Sequence, residues 1–209
     1  MIRCTAILAV ASCTAAPTAS GPRTVQPGAP GEPSREVAAG QPVGQPRHTA
    51  ADVAFVRAMI AHHEQALAMT ELVPGRSQRE DVRLLALRIE LSQQDEIALM
   101  RQWLAARDEA GATPSHTEHG AAGHDGARIF GMLTEQELAR LAAAAGAEFD
   151  RLFLQFMIRH HEGALAMVAD LFANAGAGQE SEVFQLASEI DSDQRIEIAR
   201  MRRMVYPGG

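Results

Sequence analysis

The chain reads as an all-α protein, a four-helix bundle assembled from two copies of one αα-hairpin behind a disordered N-terminal tether. Three observations predict this. The segment from Met59 to Met69, MIAHHEQALAM, returns 98 residues later as MIRHHEGALAM, from Met157 to Met167. A second matched stretch follows each copy: Val82, Ala86, Ile89, Gln93, Glu96 and Met100 recur as Val183, Ala187, Ile190, Gln194, Glu197 and Met201, now 101 residues apart. Matching helices around a loop three residues longer are what a duplicated hairpin leaves behind. Finally, alternating β-branched runs are missing, so nothing reads as strand. One hairpin cannot bury its apolar stripe alone, whereas two packed together can.

The elements follow in order. Residues 1–12 read as an export signal: Arg3 gives a positive start and Ile7 to Val10 a short apolar run. Val10-Ala11-Ser12-Cys13 resembles a bacterial lipobox, which would place a lipid on Cys13. An ordinary signal cut at a small residue, or a misplaced start codon, is the alternative. Residues 13–50 are rich in Pro, Gly, Ser and Gln and read as a flexible tether. The bundle domain is expected over 51–209, with repeat 1 at about 51–107 and repeat 2 at about 147–204. The first helix is predicted over about 51–72 and stops at Pro74-Gly75. The second runs over about 78–107, ended by Gly111 and Pro114. A polar linker over 111–128 carries His116, His119 and His124. Thr134 to Glu137 opens a short helix with a capping-box pattern. The last two long helices are expected over about 147–174 and 179–204, before Pro207-Gly208-Gly209.

Composition narrows the function. Hydrophobic residues make up 46% but aromatic ones only 4%, which suits a helical core of Ala, Leu, Ile and Met. The net charge of -7 comes without a basic stripe, and this argues against nucleic acid as partner. No run of about 20 apolar residues exists, so a lipid anchor is the expected attachment rather than a spanning helix. With Cys4 lost in the signal and Cys13 lipidated, the mature domain has neither a disulfide nor a thiolate ligand.

Each copy carries two adjacent histidines bracketed by methionines. At 100° per residue, Phe55, Met59, His62, Ala66 and Met69 share one helix face, with His63 at its edge. In the second copy the same face holds Phe153, Met157, His160, Ala164 and Met167, with His161 at the edge. The following helices present Met100 and Met201 on their apolar faces. Six of the nine methionines thus sit at matched positions, as do four of the eight histidines. Imidazole combined with thioether suits a soft ion, Cu(I) above all. Met59 and Met157 stand three residues before the histidine, where di-iron bundles place Glu, which disfavours iron. No His-Glu-x-x-His is present, which disfavours a zinc protease. Gln93, Glu96, Gln194 and Glu197 interrupt the facing apolar stripes. A buried polar group needs a partner, and an imidazole N–H from the facing helix would serve, aiming the other ring nitrogen at the ion. Glu64 and Glu162 point away from the core face and read as solvated. His116, His119 and His124 could hold Cu(II) or Zn(II), or simply belong to a polar connector. Trp103 reads as a core anchor, and His48 is given no role. The bland alternative is that the methionines fill core space and the histidines are satisfied core residues.

The pattern Asp-x-x-Phe-x-x-x-Met-Ile-x-His-His-x-x-Ala-x-x-Met, at 52–69 and again at 150–167, resembles the family numbered 305 among domains of unknown function. So does Ala-x-x-Ile-x-x-x-Gln-x-x-Glu-Ile-x-x-Met at 86–100 and 187–201. That family includes CopM-type copper-binding proteins. The resemblance covers about 51–204 and implies a ferritin-like bundle, export to the cell envelope and, for some members, copper binding and resistance. It carries the metal-binding positions onto Met59, His62, His63, Met69 and Met100, and onto Met157, His160, His161, Met167 and Met201. The second copy departs at Gly163 for Gln65, Arg195 for Gln94 and Val168 for Thr70; none touches an expected ligand.

The expected function is therefore a non-enzymatic, exported copper binder that sequesters or carries Cu(I). It would sit in the bacterial cell envelope, periplasmic or on the outer surface. Its partners would be the metal ion, a membrane through the lipid anchor only, and a copy of itself or a copper-handling protein. A structural or interaction module that binds no metal is one rival. A ferritin-like redox enzyme is another, disfavoured by the shortage of core carboxylates.

Overall fold

The computed structural model describes residues 24–28, 30–37, 47–109 and 130–205. The signal, Cys13, most of the tether and the linker histidines His116, His119 and His124 lie outside the described residues.

Helix α1 spans Ala50–Thr70. It starts where Thr49 and Asp52 close a capping box: the Thr49 hydroxyl accepts from the Asp52 amide, and the Asp52 carboxylate accepts from the Thr49 amide at 2.6 Å. The second carboxylate oxygen of Asp52 takes the Gly178 amide at 2.6 Å, so the same cap ties α1 to a distant turn. Helix α2, Val73–Arg76, is one turn long and contains Pro74 and Gly75, which the sequence reading assigned to a plain break. Proline is tolerated in a first turn, where its missing N–H would have had no partner. Helices α3 (Glu80–Ala105), α4 (Glu135–Ala143), α5 (Gly146–Ala173) and α6 (Ser181–Val205) complete the domain. Helix α4 carries the capping box expected of Thr134 and Glu137.

The four long helices pair in sequence order. Glu64 meets Arg101 and Arg57 meets Glu109, so α1 and α3 run antiparallel. Glu162 meets Arg202 and Phe172 packs edge-on to Phe184, so α5 and α6 do the same. Helix α1 then packs on α5 and joins the two pairs. The result is a helical fold with its apolar side chains in two clusters. One holds Val56, Phe55, Ile97, Leu171 and Ile190; the other holds Leu85, Ile89, Leu141, Phe149 and Phe153. Burying so many large aliphatic and aromatic side chains, each contributing about 1.5–3 kcal/mol, supplies the main driving force for the fold. Trp103 is buried as expected, and its indole N–H donates to Glu180 at 3.1 Å. His48, given no role by the sequence, lies edge-on to that indole.

One element corrects the sequence reading. Thr24–Gln26 (β1) and Arg35–Val37 (β2) pair antiparallel inside the segment expected to lack structure. Thr24, Val25 and Val37 are β-branched, and Pro30 with Gly31 at φ +85° turns the chain between them. Three residues per strand are too few to show alternation, so composition dominated the reading. Among the described residues, no helix is long and apolar enough to cross a membrane.

Candidate metal centre

A polar layer separates the two apolar clusters at the level where α1 meets α5. The rings of His62 and His160 face each other there, with centroids 3.7 Å apart and planes tilted by 32°. His63 and His161 flank them, each 6.3 Å from its neighbour in sequence. All four rings are buried. Helical spacing put His62 and His160 on the core face and His63 and His161 at its edge. In the structure the edge histidines are buried too, because α3 and α6 cover that side.

The edge histidines, not the central ones, meet the carboxylates. His63 Nε2–H donates to Glu96 at 2.6 Å, and His161 Nε2–H donates to Glu197 at 2.7 Å. Gln93 and Gln194 were expected to serve the same purpose, but no imidazole bonds to them. Both side-chain polar atoms of Gln93, and Oε1 of Gln194, are buried without a partner. Glu64 and Glu162 lie at the surface as expected, although each is ion-paired to an arginine on the next long helix.

His62 is held from an unexpected direction. Its Nε2–H donates at 3.0 Å to the carbonyl of Phe130, a residue just before α4. Residues 130–133 form a strap across α1 and α5. The Gln65 amide pins it from one side, donating to the Leu133 carbonyl at 3.0 Å and accepting the Leu133 amide at 2.7 Å. On the other side the strap lies directly on the α5 backbone. A Cβ at Gly163 would fall 1.6 Å from the Phe130 carbonyl oxygen, and one at Gly131 would fall 2.2 Å from the Arg159 carbonyl oxygen. Gly131 also needs its φ of +76°, which side chains rarely adopt. The exchange of Gln65 for Gly163 between the copies, which touches no expected ligand, therefore decides how the strap reaches His62. Arg159 completes the dock with two hydrogen bonds to Glu137, at 2.6 and 2.8 Å, and Arg159 holds the Glu137 carboxyl down to about 2.

The electrostatics follow from burial. Desolvation pushes His62 down to about 3; the Phe130 hydrogen bond opposes this, while His63 and His161 add to it. Desolvation, followed by the neighbouring His62, His161 and His63, pushes His160 well below the usual imidazole range. Both central rings are therefore neutral at pH 7. With Nε2–H given to Phe130, the Nδ1 of His62 is a bare lone pair, buried and without a partner. Among the described residues, His63 Nδ1, His161 Nδ1 and both nitrogens of His160 are also buried without a well-aligned hydrogen-bond partner, although the His62 backbone lies close enough to His160 to oppose the effect of burial. Leaving such groups unpaired costs about 1–3 kcal/mol each. A leucine at these positions would avoid that cost, so the fold alone does not call for imidazole.

The methionines do not form one constellation. Met59, Met100 and Met167 lie in the apolar cluster on one side of the histidine layer; Met69, Met157 and Met201 lie in the cluster on the other. Each set mixes the two copies, because α1 and α5 run in opposite directions past each other. All six are buried. Among the described residues, no group of three or more His, Cys, Asp or Glu side chains is arranged to hold a metal ion. The imidazoles therefore do not form a complete site by themselves, and thioether is the buried soft donor type nearest the layer in sequence on both α1 and α5.

Comparison with known proteins gives a consistent picture. The family model described as Domain of unknown function (DUF305) matches residues 52–205. A DUF305 fragment from Deinococcus radiodurans is 36% identical, with a TM-score of 0.65 over 77% of this chain and 98% of that one. CopM in its Cu(I)-bound form is 27% identical, with a TM-score of 0.56 over 73% of this chain and 94% of that one. A DUF305 protein from Streptomyces coelicolor, labelled as secreted, is 29% identical, with a TM-score of 0.62 over 74% of this chain and 91% of that one. CopM also matches in a Cu(II)-bound form, at 28% identity. No curated protein matches the chain significantly.

Proposed function

The chain belongs to the DUF305 family, and we propose that it is an exported, non-enzymatic copper binder that sequesters or carries Cu(I) as cargo. The observation that carries this reading is the pair of facing His62 and His160 rings, neutral and buried, with nitrogen lone pairs that no protein group satisfies. Neutral imidazole is the form that binds a metal, and here burial keeps it neutral without help from pH. Thioether sulfur needs no deprotonation. The donors would be Nδ1 of His62 together with His160, supplemented by thioether sulfur from Met59, Met100 and Met167 on one side and Met69, Met157 and Met201 on the other, while His63 and His161 would stay bonded to Glu96 and Glu197 beside the site. Glu96, Glu197 and the Phe130 carbonyl would orient three of the four rings. The likeness to CopM with copper bound supports the same ion. The paired helices read as two duplicated hairpins forming a four-helix bundle, and lipid on Cys13 would anchor the domain at the envelope.

A second reading rests on a specific observation: three of the four histidines already have a hydrogen-bond partner, as a purely structural polar layer would require. One experiment separates the two. Copper is measured in protein purified from copper-fed cells, for the natural chain and for His62→Ala combined with His160→Ala. Thermal unfolding is then followed with added Cu(I). Cargo at 100 times its dissociation constant adds about 2.7 kcal/mol. An unshifted midpoint and metal-free protein would establish the structural reading.

A further inference from the structure

The two halves differ on the outer surface of α3 and α6. Near the start of α3 and the end of α6 lies an open groove of about 580 Å³, bordered by Arg79, Arg88, Arg200 and Arg203. Arg79 is neutralised by Asp81 at 2.7 Å, and Arg88 reaches the buried Glu197 only at 4.0 Å. Arg200 and Arg203 have no ion-pair partner among the described residues. Ile196 of α6 lines the groove, and Leu84, Leu87 and Leu91 project from α3, each of the four more than half exposed; Leu84 and Leu87 border a second groove with Glu80, Arg83 and Glu90. On α3, Leu84, Leu87, Arg88 and Leu91 fall within an arc of about 100°. They form one ridge, which ends at the exposed Asp95.

The duplication supplies an internal control. The positions equivalent to Leu84, Leu87, Arg88 and Leu91 are Gln185, Ser188, Glu189 and Ser192. Those equivalent to Ile196, Arg200 and Arg203 are Asp95, Leu99 and Gln102. The same helical framework thus folds with Gln, Ser, Ser and Asp in place of the leucines and the isoleucine, and with Glu, Leu and Gln in place of the arginines, so neither set is demanded by the fold. Arginine near the end of α6 complements the helix dipole, but that explains a charge and not its gathering with exposed leucines. In a chain of net charge -7, the combination is a local reversal.

We propose that this α3/α6 face docks on an anionic phospholipid surface, with Arg88, Arg200 and Arg203 at the headgroup phosphates and Leu84, Leu87, Leu91 and Ile196 entering the interface. Apolar side chains beside the loosely paired Arg88 and the Arg200 and Arg203 guanidinium groups, which have no ion-pair partner among the described residues, match a surface that is negative outside and oily beneath. The reading is independent of copper.

The test uses the full chain with Cys13→Ser, so that no acyl chain contributes, in the absence of metal. Its cosedimentation is measured with vesicles of phosphatidylcholine alone and of phosphatidylcholine mixed with phosphatidylglycerol. Binding is expected only to the mixed vesicles, falling with added salt. Arg200→Gln with Arg203→Gln should weaken it about thirtyfold. Leu87→Ser with Leu91→Ser, the residues of the other copy, should weaken it about tenfold or more. Both pairs are exposed, so unchanged circular dichroism and unfolding midpoint verify the fold. Equal partition onto both vesicles, no partition, or unaffected variants would each overturn the proposal. So would saturable binding of inorganic phosphate without vesicle binding, or leucine-dependent self-association in its place.

Discussion

Acid should loosen this protein well before its carboxylates titrate. In the folded state burial holds His62 down to about 3, whereas the unfolded chain binds a proton there near 6.5. Between those values the unfolded state carries the extra proton. The stabilising effect of the neutral ring is complete above about pH 6.5 and is lost progressively as pH falls toward 3. At pH 5 this amounts to about 2 kcal/mol from His62 alone, taking about 1.4 kcal/mol per pH unit. His160, pushed down by the same desolvation, adds a second contribution of the same sign. Glu137 titrates in a separate window, losing its stabilising effect only as pH drops below about 4.5. Urea unfolding at pH 7.5 and pH 5 reads the difference. With an m-value of about 2 kcal/mol per molar, the midpoint should fall by at least about 1 M. His62→Leu should flatten the pH dependence by removing one of the two groups. Midpoints that agree at the two pH values would show that the central rings are accessible to protons, and the reasoning from burial would fail.

Other outcomes follow from the same geometry. Gly163→Ala places a methyl group against the Phe130 carbonyl, so the strap must leave α5. Losing its hydrogen bonds to His62 and Gln65 should cost about 3 kcal/mol in urea unfolding, and the Leu133 amide should exchange with solvent much faster. An unaltered exchange rate would mean that the strap does not depend on the bare backbone at Gly163. Met100→Leu with Met201→Leu preserves core volume, so stability should drop by under about 1.5 kcal/mol per site. Under the proposed function, Cu(I) affinity in a competition titration should nevertheless fall by about tenfold or more. Equal affinity would remove thioether from the donor set. Thr49→Ala opens the capping box of α1 and should cost about 1 kcal/mol by thermal unfolding.

Much of this was open to a reader of the sequence, and the reason is periodicity. A helix face repeats every 3.6 residues, so Met59, His62 and Met69 could be assigned to one buried face from spacing alone. The capping residues Thr134 and Glu137 are local signals, and the matched segments fall on the long helices α1, α3, α5 and α6. The pairing of His63 with Glu96 and of His161 with Glu197 was partly legible: an imidazole from the facing helix was expected at both carboxylates, but spacing did not say which histidine of each pair would supply it. Spacing gives an angle on one helix; it does not say which neighbouring helix covers the edge of a face.

What only the tertiary structure decided concerns contacts between residues distant along the chain. The antiparallel passage of α1 and α5 brings His62 to His160 and divides the methionines into two mixed sets, an arrangement that depends on how the helix pairs dock. The strap from Phe130 to Leu133 gives no periodic signal at all. Its reach to His62 requires a missing side chain on another helix, and Gly163 looks like drift until the backbone that passes over it is seen. Local chemistry wrote the helices and their buried faces, because propensity and amphipathicity act between near neighbours. Close packing of distant segments chose which nitrogens would be left without partners, because that choice depends on shapes that exist only once the chain has folded.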